Sequence, residues 1–136
     1  MDELFQGAED FLPEAVSTKP TMNKINLQPA LASMDHDEDI LYAVVNAFIE
    51  EVPKLVKQLE DAFADEDQTA VERAAHTLKG NFRILQLQTQ QTIWANIENM
   101  AHQNALNQIP ECLAEAKTIT DDVLAQLKSA LESRET

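Results

Sequence analysis

The sequence predicts an all-α protein: an antiparallel, up-and-down four-helix bundle with a short N-terminal helix ahead of it. Three observations carry this. The 136 residues include only 2 Gly and 5 Pro, and Ala, Leu, Glu and Gln, which favour helices, are abundant. Apolar residues return at three- and four-residue steps through four long stretches, the repeat of a helix face turned to a core. Short polar connections separate those stretches, which makes successive helices antiparallel neighbours. The length suits one core rather than two, and a hydrophobic content of 44% is enough to fill it.

Residues 1–24 read as a tail or linker, partly disordered, because Pro13, Pro20 and Ser17-Thr18-Lys19 interrupt regular structure. Leu4, Phe5, Phe11 and Leu12 allow a short sticky turn of helix within it. The bundle domain is expected over residues 25–136. Its first segment, residues 25–34, ends in the acidic run Asp35-His36-Asp37-Glu38-Asp39, and negative charge favours a helix start. The next helix carries Leu41, Val44, Val45, Phe48, Val52, Leu55, Val56, Leu59 and Phe63 on one stripe. Pro53 lies within it, removes a backbone donor and crowds the Ile49 carbonyl, so a kink or a restart is expected there.

Asp67 is the expected N-cap of the third helix, which runs to about Leu85 with Val71, Ala74, Ala75, Leu78, Phe82 and Leu85 turned inward. Gln86-Leu87-Gln88 leads to a helix with Ile93, Trp94, Ile97, Met100 and Ala101 on its apolar side, Trp94 reading as core. Residues 104–108 form a turn, and Pro110 suits the first turn of a last helix bearing Leu113, Ala116, Thr120, Val123, Leu127 and Leu131.

Charge narrows the partners. Against 24 acids stand 10 Lys and Arg, a net charge of -14. Such a chain is repelled by nucleic acid and by anionic lipid, so neither nucleic-acid binding nor direct membrane contact is expected. The lone cysteine, Cys112, forbids an internal disulfide, fits a reducing compartment and reads as a small packing residue. No apolar run approaches a membrane span, and residues 1–10 lack a basic-then-apolar signal pattern. A cytoplasmic location is expected.

The segment that carries chemistry is Glu72-Arg73-Ala74-Ala75-His76-Thr77-Leu78-Lys79-Gly80-Asn81-Phe82-Arg83. At about 3.6 residues per turn, Val71, Ala75, Leu78 and Phe82 fall on the buried stripe. His76, Lys79, Gly80 and Arg83 fall on a neighbouring face, with Glu72 and Arg73. A neutral imidazole nitrogen is a competent nucleophile near pH 7. Lys79 at i+3 is placed to neutralise an arriving phosphoryl group, and Arg83 acts at longer range. Gly80 at i+4 presents no side chain, and a glycine inside a helix costs ~1 kcal/mol relative to Ala, which calls for a reason. From Arg73 to Ile97 there is no Asp or Glu, so an acidic protein has a neutral-to-basic island around one histidine.

Ala75-His76-Thr77-Leu78-Lys79-Gly80 resembles the signature of histidine-containing phosphotransfer (HPt) domains. Residues 39–59, with Phe48-Ile49-Glu50-Glu51-Val52-Pro53, are similar to the helix that precedes the active helix in that family, and the likeness covers roughly residues 26–133. The resemblance implies that His76 accepts and donates the phosphoryl group, that Lys79 contacts it, and that Gly80 leaves access. Arg73, Thr77 and Arg83 are the expected docking and electrostatic residues around them. It implies response-regulator receiver domains as partners, of a hybrid histidine kinase or a downstream regulator. The receiver supplies the Mg²⁺ and the acid cluster, so this chain needs no cofactor of its own, and a carboxylate-free face here avoids like-charge repulsion. With one histidine and one docking face, a monomer suffices. No nucleotide-binding motif is visible, so the chain is a carrier rather than an autonomous ATP-dependent kinase. Two departures stand out: Asn81, Phe82 and Arg83 follow Gly80 where the family has small residues, and Gln86 stands near its helix-ending glycine. Phe82 is expected to pack inward.

Two other classes compete. Glu72/His76 and Glu98/His102 are i, i+4 pairs, as a metal-binding helical bundle would use. If the third and fourth helices are antiparallel about residue 86 or 87, however, His76 lies opposite about Ile97. His102 is then offset by about 5 residues, or ~7 Å along the axis, too far to share one ion easily. A non-catalytic scaffold is the other class, against which the intact His76, Lys79 and Gly80 argue.

Overall fold

The computed structural model describes residues 24–135, and within them every regular element is helical. Of the tail expected over residues 1–24, only Lys24 falls inside; it is exposed and outside any helix. Helix α1 spans Gln28–Ser33, α2 Glu38–Ala64, α3 Gln68–Ile84, α4 Gln88–His102 and α5 Ile109–Glu135, with a 3-10 turn at Leu106–Gln108.

Helix α3 packs against α2 on one side and α4 on the other, and α5 closes the ring against α4 and α2. Cross-helix pairs fix the directions. Glu60 and Asp39 of α2 meet Lys117 and Arg134 of α5. Glu72 and His76 of α3 meet His102 and Glu98 of α4. In each case the earlier residue pairs with the later one, so these neighbours are antiparallel.

The turns explain how a chain so poor in glycine changes direction. Asp35, His36, Glu66, Gln86 and Asn104 all adopt left-handed φ between 55° and 60°. At three of the turns the next amide reaches back five residues: Asp67 to the Ala62 carbonyl (2.9 Å), Leu87 to Phe82 (3.0 Å) and Ala105 to Met100 (2.8 Å). That bond satisfies a carbonyl the helix end would leave bare. Asp67 then caps the following helix, its carboxylate accepting from the Ala70 amide, and Asp37 caps α2 through the Asp39 and Ile40 amides.

The centres of the expected inward stripes are buried: Leu41, Val45, Phe48, Val52 and Leu59 from α2; Val71, Ala75, Leu78 and Phe82 from α3; Trp94 and Ile97 from α4; Val123 and Leu127 from α5; Val44, Leu55, Val56, Phe63, Ile93, Met100 and Leu131 lie at their margins and are only partly buried. Phe48 and Phe82 meet edge to face, centroids 4.9 Å apart, a favoured aromatic geometry. Trp94 is core, as expected, and its indole N–H donates to the buried Thr120 hydroxyl at 3.2 Å. Of the two outcomes expected at Pro53, the restart does not occur, because α2 runs through it as one helix. Phe48 and Val52 before it, and Leu59 and Ala62 after it, are buried against the same core. That packing holds both halves in one helix.

Candidate functional site

Helix α3 presents His76 because Ala75 and Leu78, its neighbours on the stripe, are fully buried. The His76 side chain is 64% exposed. Its Nδ1 lies 2.8 Å from Glu98 Oε2, and Lys79 Nζ lies 2.7 Å from Glu98 Oε1. One carboxylate from α4 therefore holds both the imidazole and the ammonium. An ionised carboxylate only accepts hydrogen bonds, so in the neutral ring Nδ1 carries the proton and Nε2 the lone pair. Nε2 is the ring atom left for an incoming group.

Glu98 overturns one expectation. The stretch without acids ends at Ile97, but folding brings the next residue onto His76, so the face is not carboxylate-free. The turn about residue 87 pairs position 76 with 98 and 72 with 102. The expected register, centred on residue 86 or 87, put the partner at about Ile97; the centre is 87, the partner is Glu98, and Ile97 itself is buried. Burial pushes the Glu98 carboxyl up, while hydrogen bonds from Lys79 and His76 outweigh it and hold the group below the usual carboxylate range. Glu98 was not among the expected site residues. The antiparallel register was the signal that could have found it.

Lys79 is correspondingly less free than its position on the helix suggested. Its side chain is only 20% exposed and lies along the α3–α4 groove. At Gly80 the space is open: a Cβ built there would touch nothing within 4 Å. Close helix packing does not account for this glycine. Thr77 is exposed, its hydroxyl donating back to the Arg73 carbonyl at 3.1 Å. Arg73 shares a shallow hollow with Thr69, Glu72, His76 and Glu98. Arg83 is exposed on the last turn of α3. Neither arginine makes an ion pair or hydrogen bond through its side chain among the described residues.

The paired glutamates and histidines do not close on their own helices. His102 Nδ1 lies 3.0 Å from Glu72 Oε2, and His76 pairs with Glu98. Among the described residues no three His, Cys, Asp or Glu side chains gather as a cation-binding group. Likewise, no helix among them is long and apolar enough to cross a membrane.

Comparison with known proteins points one way. A model of the Hpt domain matches residues 43–134. The chain is similar in structure to the HPT domain of an Hpt sensor hybrid histidine kinase from Shewanella, with a TM-score of 0.74. The match covers 83% of this chain and 97% of that one at 17% identity, a likeness of fold. No curated protein sequence matches the chain.

Proposed function

The chain belongs to the Hpt domain family, whose role is histidine phosphotransfer in phosphorelays, and we propose on that premise that it carries the phosphoryl group on His76. The donor is the aspartyl phosphate of a response-regulator receiver domain. His76 Nε2 attacks phosphorus in line, the N–P bond forms as the P–O bond to the aspartate breaks, and the carboxylate leaves. The reverse step passes the group to another receiver. The observation that carries this is the contact of Glu98 with Nδ1, which leaves the lone pair on the exposed nitrogen.

The other residues then have defined tasks. Phosphorylation at Nε2 makes the ring cationic, and the Glu98 carboxylate offsets that charge. Lys79, anchored by the same carboxylate, offers positive charge to the phosphoryl oxygens one turn along. Gly80 leaves the approach open, and Arg73, Thr77 and Arg83 belong to the surface the receiver covers. The receiver brings Mg²⁺ and its acid cluster, so the bundle contributes position and charge.

His102 is the built-in control. Its side chain is 72% exposed and its Nδ1 is likewise held by a glutamate. It has no lysine one turn away, and it ends α4, where the helix dipole disfavours a phosphate. Incubation with a phosphorylated receiver should label wild type and His102→Gln and leave His76→Gln blank. Label retained in His76→Gln overturns the assignment.

A further inference from the structure

We propose that residues 2–12 of this same chain dock in cis on the α2–α3 face beside His76 and compete there with the receiver. Ile40, Val44 and Ala47 stand at i, i+4 and i+7 on α2, one apolar strip. Ile84 of α3 joins Val44 and Ala47 in lining a hollow with Phe48, Glu51 and Asn81. Ile40 and Ile84, 50% and 52% exposed, are the exposed large hydrophobic residues of the described chain. The strip therefore presents apolar area that the bundle itself does not cover. Arg83 adjoins Ile84 in sequence and Arg73 lies near His76, both with free guanidinium groups in a chain of net charge -14.

The N-terminal segment has the complementary chemistry. Asp2, Glu3, Glu9, Asp10 and Glu14 precede the first cation, Lys19, and Leu4, Phe5, Phe11 and Leu12 lie among them. Acids with interleaved apolar residues suit an apolar strip that has the free Arg83 beside its Ile84 end and Arg73 further along α3. The carboxylates offer the arginines what a carboxylate-rich receiver face offers.

The tether places the two together. Lys24 lines a hollow with Gln86 and Leu87, so the chain departs from the end of the bundle where Arg83 and Ile84 lie. Residues 13–23 can span up to ~36 Å, whereas Ile84 to His76 is eight helical residues, ~12 Å. The segment reaches the whole face without leaving its own molecule. The effective concentration of such a tethered segment is ~1 mM, so an intrinsic Kd of ~0.1 mM would keep the face covered roughly nine-tenths of the time.

The docking stands on its own, while the competition rests on His76 being the acceptor. The test uses the full chain and a variant combining Leu4→Ser, Phe5→Ser, Phe11→Ser and Leu12→Ser. Backbone amide resonances of Ala47, Gly80 and Ile84 should move on substitution while those of Thr118 and Lys128 on α5 stay put, and tenfold dilution should change neither protein. Transfer from a phosphorylated receiver should then be roughly tenfold faster in the variant. Unmoved resonances at the face, or an unchanged rate, overturn the proposal. Shifts that disappear on dilution overturn it too, by assigning the face to a second copy. If neither protein takes label, the phosphotransfer reading has failed, and the resonances still decide the docking.

Discussion

Replacing Gly80 should make the protein more stable and slower, and the opposite signs separate a docking role from a structural one. Gly80 lies inside α3 without a left-handed φ, so its backbone needs no glycine. A Cβ there meets nothing within 4 Å, so no packing is lost. The helix-propensity difference is then the whole effect, and Gly80→Ala should stabilise by ~0.5–1 kcal/mol. For a domain of this size that raises Tm by roughly 2–6 °C. Gly80→Gln should gain nearly as much, since Gln is also a good helix former. Transfer moves the other way. Position 80 is one turn from His76, ~6 Å along the axis on the same outward face. A longer side chain there holds the receiver off, and a misplacement of ~1 Å can cost on the order of 100-fold. Gly80→Ala should slow transfer a few-fold and Gly80→Gln on the order of 100-fold, read by rapid-quench labelling beside urea titration. A destabilised Gly80→Gln would show that the glycine serves packing. A stabilised one with undiminished transfer would remove this face from the docking surface.

Four further outcomes test the site and the frame. Glu98→Gln exchanges a charged acceptor for a neutral one and lets an amide N–H face Nδ1, so transfer should drop roughly tenfold with helix content unchanged; a wild-type rate removes Glu98 from the mechanism. The Glu98 carboxyl titrates lower in the folded chain, held down by Lys79 and His76 against burial. Its contribution is therefore full above the unfolded value and lost as pH falls through the folded one. Wild type should lose more stability than Glu98→Gln between about pH 5 and pH 3 in urea titrations. Gln86 sits at φ 60°, so Gln86→Gly should be neutral or stabilising by up to ~1 kcal/mol and Gln86→Val destabilising by more than that, both by urea titration. Trp94→Phe strands the Thr120 hydroxyl, 2% exposed, and should cost ~1–3 kcal/mol for that group before any cavity term.

What the sequence disclosed follows from the range over which each force acts. Burial is decided by the stripe on each helix, a local pattern, so Val71, Ala75, Leu78 and Phe82 were readable as core and His76 as outward. The N-cap at Asp67 was readable for the same reason. Pro53 does not restart the helix because its local penalty acts on one turn, while the anchoring of Phe48, Val52, Leu59 and Ala62 in a shared core acts across the whole of α2. Left-handed residues such as Glu66 and Gln86 carry no glycine to announce them. Their φ is imposed by the short connections between packed helices. Glu98 shows the limit most clearly. A scan along the chain finds no acid between Arg73 and Ile97, yet the α3–α4 hairpin reflects position 98 onto 76, and an error of half a residue in the centre of that reflection exchanges a carboxylate for a buried isoleucine. The motif names the nucleophile, but the atom on it that reacts is set from the opposite helix, by a register the motif does not contain.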